Sequence, residues 1–376
     1  MLKKITVVFI VTLAGLLLHS NTTADACPGC ARVDPVYWRN GALQNLSPSD
    51  DVFVSTGTSG IAVSGSDVYI SGSYIADLAE EQSDDDPWGS LVSLPCYWRN
   101  GVMQNLNLPD EALGGDSSGI AVFDNAVYIT GNYSILGKSI PCYWRNGTVQ
   151  SLNVPNEARQ SSTTGIAVSG NMVYVAGWYA NTHDWNADTF ACYWRDGVMQ
   201  PLNLPSGAKR SSTTGITVSG NTVIVAGSYI DSRNRTIPCY WRDGELQPLN
   251  LPNGATDGNT SGIAISGNTV YITGSFTDAR NRKTPCYWRD GVLQTLNLPA
   301  GTLGGSTNGI VVSGNEVYIA GNYANNEYQY GISCYWRDGA FQTMSFPNNA
   351  WNYFATTGIA VFENTVYVSG GDSFMQ

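Results

Sequence analysis

Apolar and aromatic residues along this chain come in short runs, cut by Gly, Asn, Asp and Pro, and nowhere do they keep a sustained helical period. Four such runs follow one another as a unit. Copies of the four read "GIAVSG" (Gly165–Gly170), "NTVYITGSF" (Asn268–Phe276), "CYWR" (Cys286–Arg289) and "LQPLNLP" (Leu246–Pro252). Each is rich in β-branched, aromatic or other apolar residues and bounded by turn formers, so each predicts a β-strand. The fourth run closes on a proline in every copy, at Pro48, Pro109, Pro155, Pro205, Pro252, Pro299 and Pro347.

The unit recurs seven times. "CYWRDG" stands at Cys192–Gly197, Cys239–Gly244, Cys286–Gly291 and Cys334–Gly339; "CYWRNG" stands at Cys96–Gly101 and Cys142–Gly147, and "VYWRNG" at Val36–Gly41. Its tryptophans, Trp38, Trp98, Trp144, Trp194, Trp241, Trp288 and Trp336, are spaced by about 47 residues. The "GIAVSG" run keeps step, beginning at Ser59, Thr164, Thr214 and Ser261, with looser copies at Ser118, Asn308 and Thr357. Four strands in such a period make one blade of a β-propeller. The fold class is therefore all-β, a seven-bladed β-propeller of four-stranded blades. The repeat enters at its third strand and leaves at its second, so N- and C-terminal half-units share one blade and seal the ring. The Asn-Gly or Asp-Gly pair predicts a type I′ hairpin turn. Trp and Tyr supply the area between blades, and the Arg lays its stem on a ring.

Composition agrees: 13% charged, 11% aromatic and 41 Gly among 376 residues suit a turn-rich all-β protein. The first residues read as a secretory leader, with Lys3 and Lys4, the apolar run Ile5–Leu18 and an A-x-A site at Ala24-Asp25-Ala26. The expected organisation is a leader over residues 1–26, a linker with Cys-Pro-Gly-Cys over 27–35, and the propeller over 36–376. The expected location is outside the cytoplasm: extracellular, periplasmic or at the cell surface. Cleavage leaves Cys27 at the N-terminus, either for a lipid anchor or for a local disulfide with Cys30. No other run is long enough to span a membrane. The formal charge of −11, without a basic cluster, argues against nucleic acid as a partner.

Candidate chemistry is sparse. Outside the leader one histidine remains, His183 in "NTHDWNAD", which excludes a multi-His zinc site. No P-loop, zinc motif, nucleophile elbow or Rossmann setting occurs, and no cofactor is expected. Six cysteines at one repeat position, Cys96, Cys142, Cys192, Cys239, Cys286 and Cys334, sit in separate blades, too far apart for disulfides, and predict buried free thiols. The acidic run Glu80–Trp88 lacks EF-hand spacing and reads as a solvated insertion.

The stretch "YWRNGVMQNLNLP…GDSSGIAVFDNAVYITGNY" (Tyr97–Tyr133) resembles the bacterial extracellular HAF-type repeat and the "YWxNG" repeat proteins of bacterial surfaces, and more distantly kelch propellers. The resemblance covers Tyr37 to Gly371 and implies the propeller fold. It implies no catalytic residues, and most units lack kelch's double Gly.

Antiparallel order puts the short turns on one face of the ring and the longer connections on the other. The variable face holds the residues outside the repeat: Trp88, Trp185, Trp351, His183, Tyr328, Tyr330 and the two pairs Arg233/Arg235 and Arg280/Arg282. Exposed rings beside polar and charged groups suit sugar or protein recognition. The expectation is an exported, monomeric, non-enzymatic propeller binding a glycan or a surface or envelope protein through that face. The alternatives are a glycosidase or lyase on the same scaffold, which would need two acids at a defined separation, and a structural envelope protein.

Overall fold

The structure is a computed structural model that describes residues 31–46, 53–77, 91–184, 188–325, 331–346 and 353–375. These form 28 strands in seven four-stranded antiparallel sheets, with no helix among the described residues. Blade 4 is typical: Ser211–Ser219, Thr222–Ile230, Thr236–Arg242 and Glu245–Pro248, paired in chain order. Blades 1 to 6 follow the chain in this way from Phe53 to Thr343. Blade 7 takes its first two strands, Tyr353–Phe362 and Thr365–Met375, from the C-terminal side. Its outer two, Ala31–Arg39 and Ala42–Asn45, come from the N-terminal side. The join runs unbroken from Ala31 opposite Met375 to Arg39 opposite Tyr367. The ring closes as the half-units of the sequence required.

First strands meet first strands between every pair of neighbouring blades, so they surround the axis. They start earlier than the "GIAVSG" run and carry a β-bulge at the residue before its glycine, as between Thr163 and Gly165. The bulged residue binds the next blade. Ser59 pairs with Ser117, Ser118 with Thr163, Thr164 with Thr213, Thr214 with Thr260 and Ser261 with Thr307, all at 2.7–2.8 Å. Asn308 donates to Thr356 at 2.8 Å, and Thr357 returns to Thr58 at 2.8 Å. The result is a closed belt of seven inter-blade hydrogen bonds. The glycine beside each bulge permits the approach. A Cβ on Gly165 would lie 3.2 Å from the Gly215 Cα, and one on Gly309 3.4 Å from the Gly358 Cα.

Outward from the belt, the seven motif tryptophans are fully buried. At about 25 cal/mol per Å2 over ~150–250 Å2, each burial is worth about 4–6 kcal/mol before ordering costs. Each indole edge sits over a second-strand glycine. A Cβ on Gly177 would meet the Ser162 carbonyl and come within 2.7 Å of the Trp194 ring. The core is shared between blades: Ile224, Ala226 and Leu249 of blade 4 pack with Ile272, Cys286 and Trp288 of blade 5. The six repeat cysteines are buried and unpaired, and Val36 fills the seventh position at 2% exposure.

The fourth strand is shorter than its run suggested. It holds four residues, as in Glu245–Pro248. The following Leu-Asn-Leu-Pro leaves the sheet toward the next blade, where the Asn250 carbonyl accepts the Trp288 Nε1–H at 3.0 Å. The same bond joins Trp144 to Asn107, Trp194 to Asn153, Trp241 to Asn203 and Trp336 to Asn297.

The turn between third and fourth strands has positive φ at both residues in all seven blades, for example Asp290 at 47° and Gly291 at 79°. The Asx side chain does more than turn. Its Oδ1 accepts the N–H of the second strand's first buried valine, as Asp290 does from Val270 at 2.9 Å, and each blade repeats the bond. The motif arginine is exposed at this rim and lies over the second-strand Tyr of its own blade, 5.5 Å for Arg99 over Tyr69. Blade 4 has Ile224 opposite Arg242, where the other blades have that Tyr.

Candidate functional site: the long-connection face

The two faces differ as the strand order demands. One carries the near-identical hairpins just described. The other carries the connections from second to third strands and from blade to blade, and there the repeat is broken. His183 lies exposed on a bend in the blade 3 connection. Arg233 and Arg235 lie exposed in the blade 4 connection, and Arg280 and Arg282 in that of blade 5. Trp88, Trp185, Trp351, Tyr328, Tyr330, Cys27, Cys30 and the Glu80–Trp88 run lie outside the described residues. The four arginines and His183 therefore share one face on three consecutive blades.

The arginines divide into two kinds. Asp231 Oδ1 accepts the backbone N–H groups of Arg233 and Arg235, each at 2.9 Å. Its Oδ2 accepts Arg235 Nε at 3.0 Å and Nη2 at 2.8 Å. Blade 5 repeats the loop with Asp278, Arg280 and Arg282, at 2.8 to 3.0 Å throughout. The N–H and guanidinium groups of Arg235 and Arg282 head the contacts that hold these two carboxyls below the usual range. Arg235 and Arg282 thus brace their loops, whereas Arg233 and Arg280 are exposed and give the aspartate only a backbone N–H.

A residue not singled out by its sequence enters here. Trp178 stands half-buried near the connection end of blade 3's second strand. The equivalent residues are Ser73, Asn132, Ser228, Ser275, Asn322 and Gly371. Asn132 and Asn322 stitch their blades to the next, through Thr163 and Thr356. Blade 3 carries an indole at this position, where the other blades have Asn, Ser or Gly. Beside Trp178 in sequence, Tyr179 stacks on Phe190, with ring centroids 5.2 Å apart, and Phe190 is 37% exposed. The sequence carries its signal as a break in the repeat, an indole inside a core strand rather than in a connection.

Nearer the axis, Asp116 is the one carboxylate on any of the seven first strands. The Ser93 hydroxyl donates to it at 2.5 Å, from the neighbouring blade. Burial pushes its carboxyl up, against hydrogen bonds from Ser93 and Ser73. Among the described residues no group of three His, Cys, Asp or Glu side chains gathers as a metal site.

No family model matches the chain, and no curated protein does. Among solved structures it is similar to a Trypanosoma rangeli sialidase in complex with sialic acid, at 10% identity and a TM-score of 0.41, over 84% of this chain and 59% of that one. It is similar to the SapL1 lectin in complex with alpha methyl fucoside, at 12% identity and a TM-score of 0.41, over 79% of this chain and 98% of that one. A third is the Pyrococcus horikoshii acylaminoacyl peptidase, at 11% identity and a TM-score of 0.47, over 84% of this chain and 49% of that one. The chain spans about three-fifths of the length of the Trypanosoma rangeli sialidase chains it matches. None of these likenesses assigns a ligand or an activity.

Proposed function

We propose that this chain is an exported, non-enzymatic β-propeller of the HAF-type, "YWxNG" kind that binds a glycan or an envelope protein through its long-connection face. The observation that carries the reading is Trp178. A position that in blades 2 and 6 stitches one blade to the next holds in blade 3 a partly exposed indole. A ring face with polar neighbours offers apolar contact to a sugar and hydrogen bonds to orient it. The glycosidase or lyase alternative needs two acids at a defined separation. The first strands offer one, Asp116, and it is engaged by Ser93.

The test is binding of the leaderless protein to a broad glycan array, and capture of partners from the native envelope, with and without Ca²⁺. Replacing Trp178 by Ala is expected to weaken the ligand tenfold or more, as removal of an aromatic anchor does (~1.4 kcal/mol or more). A ligand held equally well by the variant moves the site off this face. Steady turnover of a bound saccharide, abolished by a single carboxylate change, replaces the binding reading by the enzymatic one.

A further inference from the structure

We infer that the blade 4 and blade 5 sector of this face binds a polyanionic polysaccharide, with Arg233 and Arg280 as equivalent contacts; the inference rests on the loop-face reading above. Charge on the face is sorted by sector. The connections at residues 202–210, 231–235, 249–257 and 278–282 carry six basic side chains against three carboxylates. Among the described residues, the connections at 106–114 and 136–137 of blade 2 carry two carboxylates and no Lys or Arg, with Lys138 opening the strand that follows. In a chain of formal charge −11, the basic sector is a local exception. Repulsion from the rest of the molecule fades over roughly 8 Å at physiological salt.

The sector is also built. The loops Asp231–Arg235 and Asp278–Arg282 have the same hydrogen bonds, and Asn234 and Asn281 have matching φ of 63° and 59°. Each spends one arginine on neutralising its own aspartate. Arg233 and Arg280 keep their charge on a preformed loop, with exposed Lys209 on the connection that leads into blade 4. Packed sheets lie roughly 10 Å apart, and the blades splay outward from there. A receptor that repeats one cationic contact at a fixed interval fits a ligand that repeats one anionic group. A polysaccharide with a uronate or sulfate in each repeat does so.

The experiment measures binding of the leaderless protein to polygalacturonate, dextran sulfate, neutral dextran and polyglutamate as salt is raised. The expected result is binding to one or both anionic polysaccharides, weakening with salt, and absent for dextran. The double variant Arg233→Gln/Arg280→Gln should bind roughly three- to tenfold more weakly and respond less to salt, as for two exposed ionic contacts. Lys138→Gln, on the blade 2 hairpin, should change neither. Preference for polygalacturonate over dextran sulfate assigns the carboxylate form, and the reverse the sulfate form. Equal binding of dextran, equal binding of polyglutamate, or indifference to the double variant overturns the inference. If Trp178→Ala abolishes binding of a neutral saccharide while the arginine variant changes nothing, the loop-face reading stands and this one falls. If neither a saccharide nor an envelope protein binds, both fall.

Discussion

Asp116 shows how much one side chain depends on what lies across the seam between blades. Its sequence context, "GGDSSG", is that of a turn-rich loop. The fold presses its carboxylate against Ser93 and Ser73 of blade 1 and raises its affinity for a proton. A carboxyl raised in the folded state stabilises most below its unfolded pKa, about 3.9, and that contribution is lost as pH rises through the folded value. At pH 7 the buried charge is a cost. Asn259 occupies the same position in blade 5, where it accepts from Ser275 at 2.8 Å, so an amide fits there. Asp116→Asn is therefore expected to raise the Tm at pH 7, by a few degrees for each ~1 kcal/mol gained. The gap should close as the pH falls toward 4. Thermal scans across that range check it, and a lower Tm for the variant at pH 7 would give the carboxylate a role that offsets its burial. The cysteines are the opposite case: their repeat position announced buried thiols, and all six are buried with the thiol pKa pushed up by desolvation.

At the scale of the element, the third-to-fourth-strand hairpin joins a turn to a clamp. Positive φ at Asp290 and Gly291 was legible as Asp-Gly between two strands. The bond from Val270 N–H to Asp290 Oδ1 was not, because it links the turn to a strand some twenty residues earlier. Asp290→Ala loses that acceptor and leaves alanine at φ 47°. The expected cost is about 1–3 kcal/mol, read as a fall in the urea midpoint. Asp290→Asn should stay close to the parent, since Asn40, Asn100 and Asn146 make the same bond. Equal losses for both variants would mean that the carboxylate charge matters rather than the acceptor geometry. The first and fourth strands show where run-by-run reading fails. A bulge places Thr163 and Thr164 for bonds on opposite sides of their strand, and no alternation of polar and apolar residues encodes that.

At the scale of the whole molecule, the ring is held by seams of three kinds: shared apolar clusters, indole-to-carbonyl bonds and the hydroxyl belt. Blade 7 alone depends on two distant segments. Ending the chain after Phe362 removes Thr365–Met375, the partner of Ala31–Arg39, and leaves Tyr353–Phe362 without its neighbour in the sheet. The expected result is a Tm lower by about 10 °C or more, with rapid tryptic cleavage at Arg39; calorimetry and limited proteolysis check it. A truncated chain that melts like the parent would mean that six blades hold the ring without the seventh.

The sequence by itself determined the unit, its sevenfold count, the strand order, the turns and the shared closing blade. Those follow from periodicity and from backbone conformations that only certain residues adopt, and both are written locally along the chain. Tertiary structure alone decided which side chains meet across blades. It set the belt from Ser59 around to Thr357, the slot that Gly177 leaves for Trp194, the partners of Asp116 and the exposure of Trp178. Residues about one repeat apart are brought within 3 Å by the angle and distance between sheets. Those quantities come from the packing of all seven blades at once, and no single repeat carries them.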